Sequence, residues 1–459
     1  MAKRIVIIAT WVSLSGTAAA ACSSTETSRE LTYANAIEPL VAEKCQTCHR
    51  EGGSAPFPLL TYDDLRSVGP LAKDKVARRE MPPWGAFDDE YCTVAHKYKN
   101  DLSLTQQEID TFVQWVDRGM PPGKVTPRRM PKPLPVRPKG LVEPTSRFPV
   151  ATTHMVEGRG PDDIRCFPFD PHFDRDVWIT ESMVVPENPK VVHHALVYIV
   201  PDQEAGTKAG EAGSYPCFGG PDVKSASLLL AWSPGEASTT YGQSAGVHVP
   251  KGSQLLMQVH YHPLEASTTG RLNLEIHAIP ANPGRVAQFV LMGNAEDGSR
   301  RANPRLLPGP ADPPEGPAFV IPSNAKDHVE VMDFTLPDIL KPTRLVAVGA
   351  HMHWAGAQMR IEVHRKAPTD EDPADECLFS MPKYDFTWQR TFAYDTPVEK
   401  APVLQAGDRL RVTCTYDNTR ENRHIVKLMN EERMTEPPEI RLGGRSIDEM
   451  CQAMLIVIN

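Results

Sequence analysis

Five residues near the start of the chain, Cys45-Gln46-Thr47-Cys48-His49, have the C-x-x-C-H spacing of a covalent haem c attachment site. Two thiols three residues apart on one helical turn can both add to the porphyrin vinyl groups. The adjacent imidazole then projects under the iron as proximal ligand. A zinc site would need a second Cys/His pair nearby, and a thioredoxin-like dithiol would need a βαβ setting; the sequence offers neither. For the opposite haem face the expected ligand is Met81, at the head of the stiff turn Met81-Pro82-Pro83-Trp84, with Met120 and His96 as alternatives. Met/His ligation gives a comparatively high potential, suited to electron transfer more than to oxygen binding.

Three histidine groups follow: His193-His194, His260 within Gln258-Val259-His260-Tyr261, and His351-Met352-His353. Residues i and i+2 of a strand share a face, so His351 and His353 can converge on one metal. Adjacent His193 and His194 point to opposite faces unless the strand is distorted there or one of them ligates through its other ring nitrogen. Imidazole suits copper in both oxidation states, and a thioether favours Cu(I). His154, His172, His248, His262, His277, His328, His364 and His424 belong to no such constellation, and Trp232 and Trp388 read as core or domain-packing residues.

The elements that must carry these residues change character along the chain. Residues 30–122 read as helical, with amphipathic stretches over Ala34–Cys45 and Ser103–Arg118, the second opening on a Ser103/Gln106 capping box. Residues 123–149 are rich in proline and cationic side chains and read as an extended linker. Beyond it, short β-rich runs such as VVHHALVYIV, SQLLMQVHYHP and RLVAVGAHMHW are punctuated by Gly, Pro, Asn and Asp. They predict two antiparallel β-sandwiches, residues 150–283 and 284–459, divided near Pro280–Arg285. The 44 prolines among 459 residues agree with loops and short strands more than with long helices.

Two family resemblances sharpen this reading. Residues 30–122, with CQTCH, GGSAPF and QWVDRGMPPG, look like a small class I cytochrome c, in which a methionine such as Met81 is the distal haem ligand. Residues 160–459 resemble the copper type II, ascorbate-dependent monooxygenases, the family of peptidylglycine α-hydroxylating monooxygenase and dopamine β-monooxygenase. The matching stretches are VVHHALVYI, LLLAWSPG, LLMQVHYHP, VGAHMHWAGAQMRIEV, DRLRVTCTYDNT and IDEMCQAMLIVI, in the family's order. The resemblance implies one electron-transfer copper held by His193, His194 and His260. It implies a second, oxygen-activating copper held by His351, His353 and Met450. It further implies disulfides Cys166–Cys217 and Cys414–Cys451. The leftover Cys92 and Cys377 could form a third bridge.

The expected architecture is therefore an N-terminal all-α cytochrome c domain followed by two jelly-roll-like antiparallel β-sandwich copper domains. The expected activity is copper- and O2-dependent hydroxylation of a C–H bond, with electrons relayed through the fused haem from ascorbate, a quinol or another cytochrome. The peptide-amidating enzymes hold a substrate carboxylate with an Arg and a Tyr; Gly349 and Met454 stand at those positions, and Gln452 replaces an Asn. A C-terminal glycine substrate is thus disfavoured against a neutral or lipid-like small molecule. The competing reading is a non-catalytic exported electron-transfer or copper-binding protein.

Lys3 and Arg4, the apolar run Ile5–Leu14 and the small residues Ala18–Ala21 read as a signal peptide over residues 1–21. Cys22 then resembles a lipoprotein site, although Ala19 replaces the usual Leu. A periplasmic or cell-surface location, with a membrane tether through Cys22, follows as the expectation. Nine cysteines agree with an oxidising compartment. A net charge of -9 without a basic stripe argues against a nucleic-acid partner.

Overall fold

The computed structural model describes residues 30–124, 145–294 and 305–459, apart from short breaks at 52, 160–162, 218–219, 235–237, 242–243, 310–311, 313–315 and 444–446. The signal segment 1–21, Cys22 and most of the linker 123–149 lie outside the described residues.

Strands hold 36% of the described residues and helices 16%. That balance overturns the expected all-α cytochrome c domain over residues 30–122. Its helices are α1 (Glu38–Lys44), preceded by a π-turn, α2 (Tyr62–Ala77) and α3 (Gln106–Asp117). They close around a small core of Ile37, Val41, Leu65, Phe112 and Trp115. Thr61 with Asp64 and Thr105 with Glu108 form reciprocal capping boxes at α2 and α3, so the second cap lies two residues beyond the expected Ser103.

Between α2 and α3, residues 85–98 leave the helical cluster. Pro82 and Pro83 lack the N–H that a helix needs, and the backbone of this stretch bonds elsewhere. Lys99 N–H donates to the Ala393 carbonyl at 2.8 Å, and Asp395 N–H donates to Lys97 at 2.7 Å. Trp84 meets Phe392 edge-on with ring centroids 4.9 Å apart. Cys92 is bridged to Cys377, with Cα atoms 5.6 Å apart. Trp84, Cys92, Val94 and Tyr98 thereby belong to a β core and not to a helical one.

The first β unit comprises β1 (Ser146–Val150), β2 (Asp163–Phe169), β3 (Val177–Pro186), β4 (Val192–Val200), β5 (Ser227–Trp232), β6 (Ala245–Val249), β7 (Gln254–Tyr261) and β8 (Leu272–Ile279). One layer runs β1-β8-β3-β6 and the other β2-β7-β4-β5, with antiparallel neighbours throughout. Ile179, Val247 and Leu274 of the first layer share a core with Val197, Met257 and Val259 of the second.

The second unit comprises β9 (Arg285–Asn294), β10 (His328–Thr335), β11 (Thr343–His351), β12 (Gly356–His364), β13 (Asp375–Met381), β14 (Thr391–Ala393), β15 (Arg409–Tyr416) and β16 (Cys451–Ile458). Its layers are β9-β16-β11-β14 and β10-β15-β12-β13. Val348 and Leu455 share its core with Ile361 and Val412. The units are not independent, because β6 pairs with β9 in parallel through Ala245↔Arg285 and Gly246↔Val286. One sheet therefore runs unbroken from β1 to β14, across the break expected near Pro280–Arg285.

Cys166 is bridged to Cys217, and Cys414 to Cys451, with Cα separations of 5.8 and 5.9 Å. The second bridge staples β15 to β16 across the two layers of its unit. Among the described residues, no helix is long and apolar enough to cross a membrane.

The docking of residues 85–98 on the second β unit is testable through its staple. A Cys92→Ser/Cys377→Ser double variant should lose about 2–5 kcal/mol of stability. It should also become open to limited proteolysis between residues 78 and 105, as read by denaturant unfolding and mass spectrometry. A cleavage pattern unchanged from wild type would contradict this account of the tether.

Candidate metal centres and the loop between them

The alternation of β7 decides where His260 points. Leu255, Met257, Val259 and Tyr261 face the sandwich core, so Gln258 and His260 project from the opposite face of the sheet. On β4, Ala195, Val197 and Ile199 face the same core, which turns His194 outward as well. His260 and His194 are direct cross-strand partners. The next pair is Tyr261↔Val192, so His193 is an extra residue left out of the ladder. This bulge is the distortion that two adjacent histidines require in order to share a face.

The outcome is three convergent imidazoles. The His260 ring centroid lies 4.8 Å from that of His193 and 4.8 Å from that of His194. Nδ1 of His193 is 3.3 Å from Nδ1 of His194, and ligating atoms of all three residues lie within 4.8 Å of one another. Nitrogens sharing a metal at about 2.0 Å would stand about 3.3 Å apart, so a small closing of the rings completes the site. His194 and His260 are buried and His193 is half-buried.

His351 and His353 meet at the end of β11, with ring centroids 5.4 Å apart and planes at 88°. Each ring is held through Nδ1. That of His351 lies 2.6 Å from Gln389 Oε1, and that of His353 lies 2.9 Å from the Asp448 carbonyl. Outer partners of this kind fix the ring plane of a metal-binding imidazole. Gln389 is itself oriented by Nε2 donating to the Phe386 carbonyl at 3.2 Å. Burial lowers the His351 pKa, against the Gln389 hydrogen bond, and so favours the neutral imidazole that a metal needs.

Met450 directly precedes β16, and buried Glu449 joins it to the histidine turn. One Glu449 oxygen accepts the N–H groups of His353 at 2.7 Å and Met450 at 3.1 Å. The other accepts those of Ala355 at 2.7 Å and Gly356 at 3.2 Å. Burial pushes the Glu449 carboxyl up to about 8, opposed by these four donors. The Met450 carbonyl is fixed by the Tyr416 hydroxyl at 2.8 Å, and the Cys414–Cys451 bridge lies immediately beyond. Each orphaned N–H would cost about 1–3 kcal/mol, which makes Glu449 the clamp of this corner.

The loop between β13 and β14 lies between the two histidine groups. Trp388, expected to be a packing residue, has its ring centroid 6.0 Å from that of His193, while its neighbour Gln389 holds His351. The Ser233 hydroxyl donates to the Gln389 carbonyl at 3.3 Å, and Arg390 donates to the Pro234 carbonyl at 3.0 Å. No histidine spacing points to Trp388, Gln389 or Glu449; only the tertiary fold brings them to the sites. Trp232 is a buried core residue.

At the helical cluster, His49 N–H donates to the Cys45 carbonyl at 3.0 Å, which puts the motif on one turn. Nδ1 of His49 lies 3.0 Å from the Phe57 carbonyl, leaving Nε2 for an iron. Burial lowers the His49 pKa, opposed by that carbonyl. Burial, with Cys48 alongside, pushes the Cys45 thiol up to about 12. Neither Cys45 nor Cys48 is in a disulfide. Met81 lies beside Val76, Trp84, Leu104 and Ile109. Met120 packs its sulfur against α2 at Gly69, where any side chain would collide with it. His96 lies elsewhere, with Nε2 3.5 Å from Glu376 at the second β unit.

Gly349 and Met454 are direct partners across β11 and β16. A Cβ on Gly349 would lie 2.6 Å from the Arg390 carbonyl and 2.8 Å from the Met454 methyl. No cationic side chain fits there.

No protein-family model matches the chain, and no curated protein matches it. Among solved structures, an allantoicase aligns at 10% identity over 52% of this chain and 74% of its own, with a TM-score of 0.16. A likeness of that size carries no argument about fold or function.

The loop holding Trp388 and Gln389 is anchored by Asp385. Burial would raise this carboxyl, but hydrogen bonds and charge from His424, with Thr387 and Arg423, hold it below the usual carboxylate range. A folded-state pKa below the unfolded value of 3.8 makes the stabilisation complete at higher pH and removes it on acidification through the folded value. Urea unfolding between pH 6 and 2 should therefore show a shallower acid limb for Asp385→Asn than for wild type. Superimposable pH profiles would contradict this anchoring.

Proposed function

We propose that this chain is a copper-dependent monooxygenase that hydroxylates a C–H bond of a neutral or apolar small molecule with O2, using electrons relayed through a covalently attached haem. The observation that carries the proposal is the bulge at His193, which assembles three imidazoles from two strands within ligating reach of one another. The donor types fit the metal: three imidazoles converge at one site, and at the other the Met450 thioether would join two imidazoles.

Bound copper would supply one-electron transfer at the first site and O2 activation at the second. His193, His194 and His260 would hold the first ion on a face closed off by the sheet beneath. His351 and His353 would hold the second through Nε2, with Gln389 and the Asp448 carbonyl fixing their orientation. Met450 would complete that site, positioned by Glu449 and the Cys414–Cys451 bridge. Cys45 and Cys48 would attach the haem, and His49 would ligate its iron through Nε2, with Met81 or Met120 as the sulfur ligand. The closed contact between Gly349, Met454 and Arg390 favours substrates without a carboxylate. The disulfides suit an oxidising compartment, in keeping with the proposed periplasmic or cell-surface location.

Protein made in a haem-maturing, copper-supplied host should contain one haem and two coppers per chain. His260→Ala should remove one copper and His351→Ala the other, and each should abolish reductant-driven O2 consumption. Metal analysis with an optical spectrum reads the first result and an oxygen electrode the second. Haem without copper would overturn the enzymatic proposal and leave an electron-transfer protein.

A further inference from the structure

Residues 388–390 touch three places that lie far apart in the chain. The Trp388 ring stands against His193, with centroids 6.0 Å apart. Gln389 holds the His351 ring at 2.6 Å. The Arg390 guanidinium lies over the Trp84 ring, 5.3 Å from its centroid. Trp84 closes the turn Met81-Pro82-Pro83-Trp84, by which the chain leaves the helical cluster holding Cys45 and His49.

We propose that Trp388-Gln389-Arg390 is the electron relay of this protein, joining the haem segment to both histidine sites. The inference rests on the copper and haem reading above. Its path runs from Trp84 across the Arg390 guanidinium, along two peptide units, and out through the Trp388 indole to His193. A side branch through Gln389 reaches His351. Between Trp84 and His193 the path contains two non-covalent contacts, and bonds make up the rest. A bonded path lets an electron tunnel further than an equal length of empty space or water.

The surroundings match such a role. Arg390 and Gln389 are buried, so the path is dry along its middle. Ser233 and Pro234 of the first β unit hold the peptide carbonyl of Gln389 and the guanidinium of Arg390. Asp385 anchors the loop upstream, and β14 continues it downstream. Little rearrangement is then needed as charge passes. A mere stitch between the units would use these hydrogen bonds but would need no aromatic ring at position 388 against His193.

With haem held by Cys45, Cys48 and His49 and copper by His193, His194 and His260, each passage would oxidise a ferrous haem to ferric and reduce one cupric ion to cuprous, with no bond made or broken. A one-electron donor such as ascorbate or a soluble cytochrome restores the haem.

The test uses the full chain loaded with haem and copper and kept without oxygen. The haem is reduced by one electron from an added flavin photoreductant, excited by a light flash in the presence of a sacrificial amine donor, and its return to the ferric state is followed by absorbance. Trp388→Leu should slow that return severalfold with haem and copper contents unchanged, while Trp388→Phe should stay close to wild type. Trp84→Leu touches no histidine and should slow the same step, so the test stands even where Trp388→Leu loses copper. Wild-type rates in either leucine variant with both metals bound would overturn the relay alone. A wild-type protein that holds both metals yet passes no electron between them would overturn the relay and the monooxygenase reading together.

Discussion

One extra residue in the β4–β7 ladder governs the rest of this molecule. Were His193 in register, its side chain would enter the sandwich core beside Ala195 and Val197, and a polar ring buried there would need a partner. The slip between His260↔His194 and Tyr261↔Val192 removes that conflict and places a third imidazole beside the other two. The cost is a locally disrupted ladder, a common feature of sheets near functional sites. The second histidine pair needs no such device, because one residue separates His351 from His353 and the strand ends between them.

The two centres are brought together by continuity of the β-structure more than by a hinge. The parallel pairing of β6 with β9 fuses the units into one sheet, and the loop from Asp385 to Arg390 spans the seam. That loop is held on both sides, by Asp385 with His424 in its own unit and by Ser233 with Pro234 in the other. The Cys92–Cys377 bridge and the Lys97–Lys99 contacts then fix the N-terminal segment along β14, beside the same seam. Few residues thus connect the helical cluster to both histidine groups.

Much of the site was legible in the sequence because it depends on short spacing. C-x-x-C-H and H-x-H pair residue type with interval, whereas the cysteine pairs, 37 to 285 residues apart, followed only from the family resemblance and from the two cysteines it left over. The bulge at His193 was legible only as a condition, since a sequence shows that adjacent histidines conflict but not where register slips. Trp388, Gln389 and Glu449 were not legible, because each reaches its histidine through tertiary contact. The N-terminal fold was misread for a physical reason. Helical turns around Cys45 and Phe112 were extended across residues 78–105, where two prolines send the backbone to a β edge instead. Helix α2 lies within the range read as helical but outside its two amphipathic stretches, and Pro70 inside it interrupts the pattern by which a helix is recognised.

X-ray absorption at the copper edge, on fully reduced and copper-loaded protein, tests the central assignment most directly. The account predicts imidazole scattering at every copper and sulfur scattering at half of them, with the sulfur signal lost in Met450→Ala and retained in His260→Ala. A sulfur signal that survives Met450→Ala, or its absence from wild type, would contradict the second centre as assigned here.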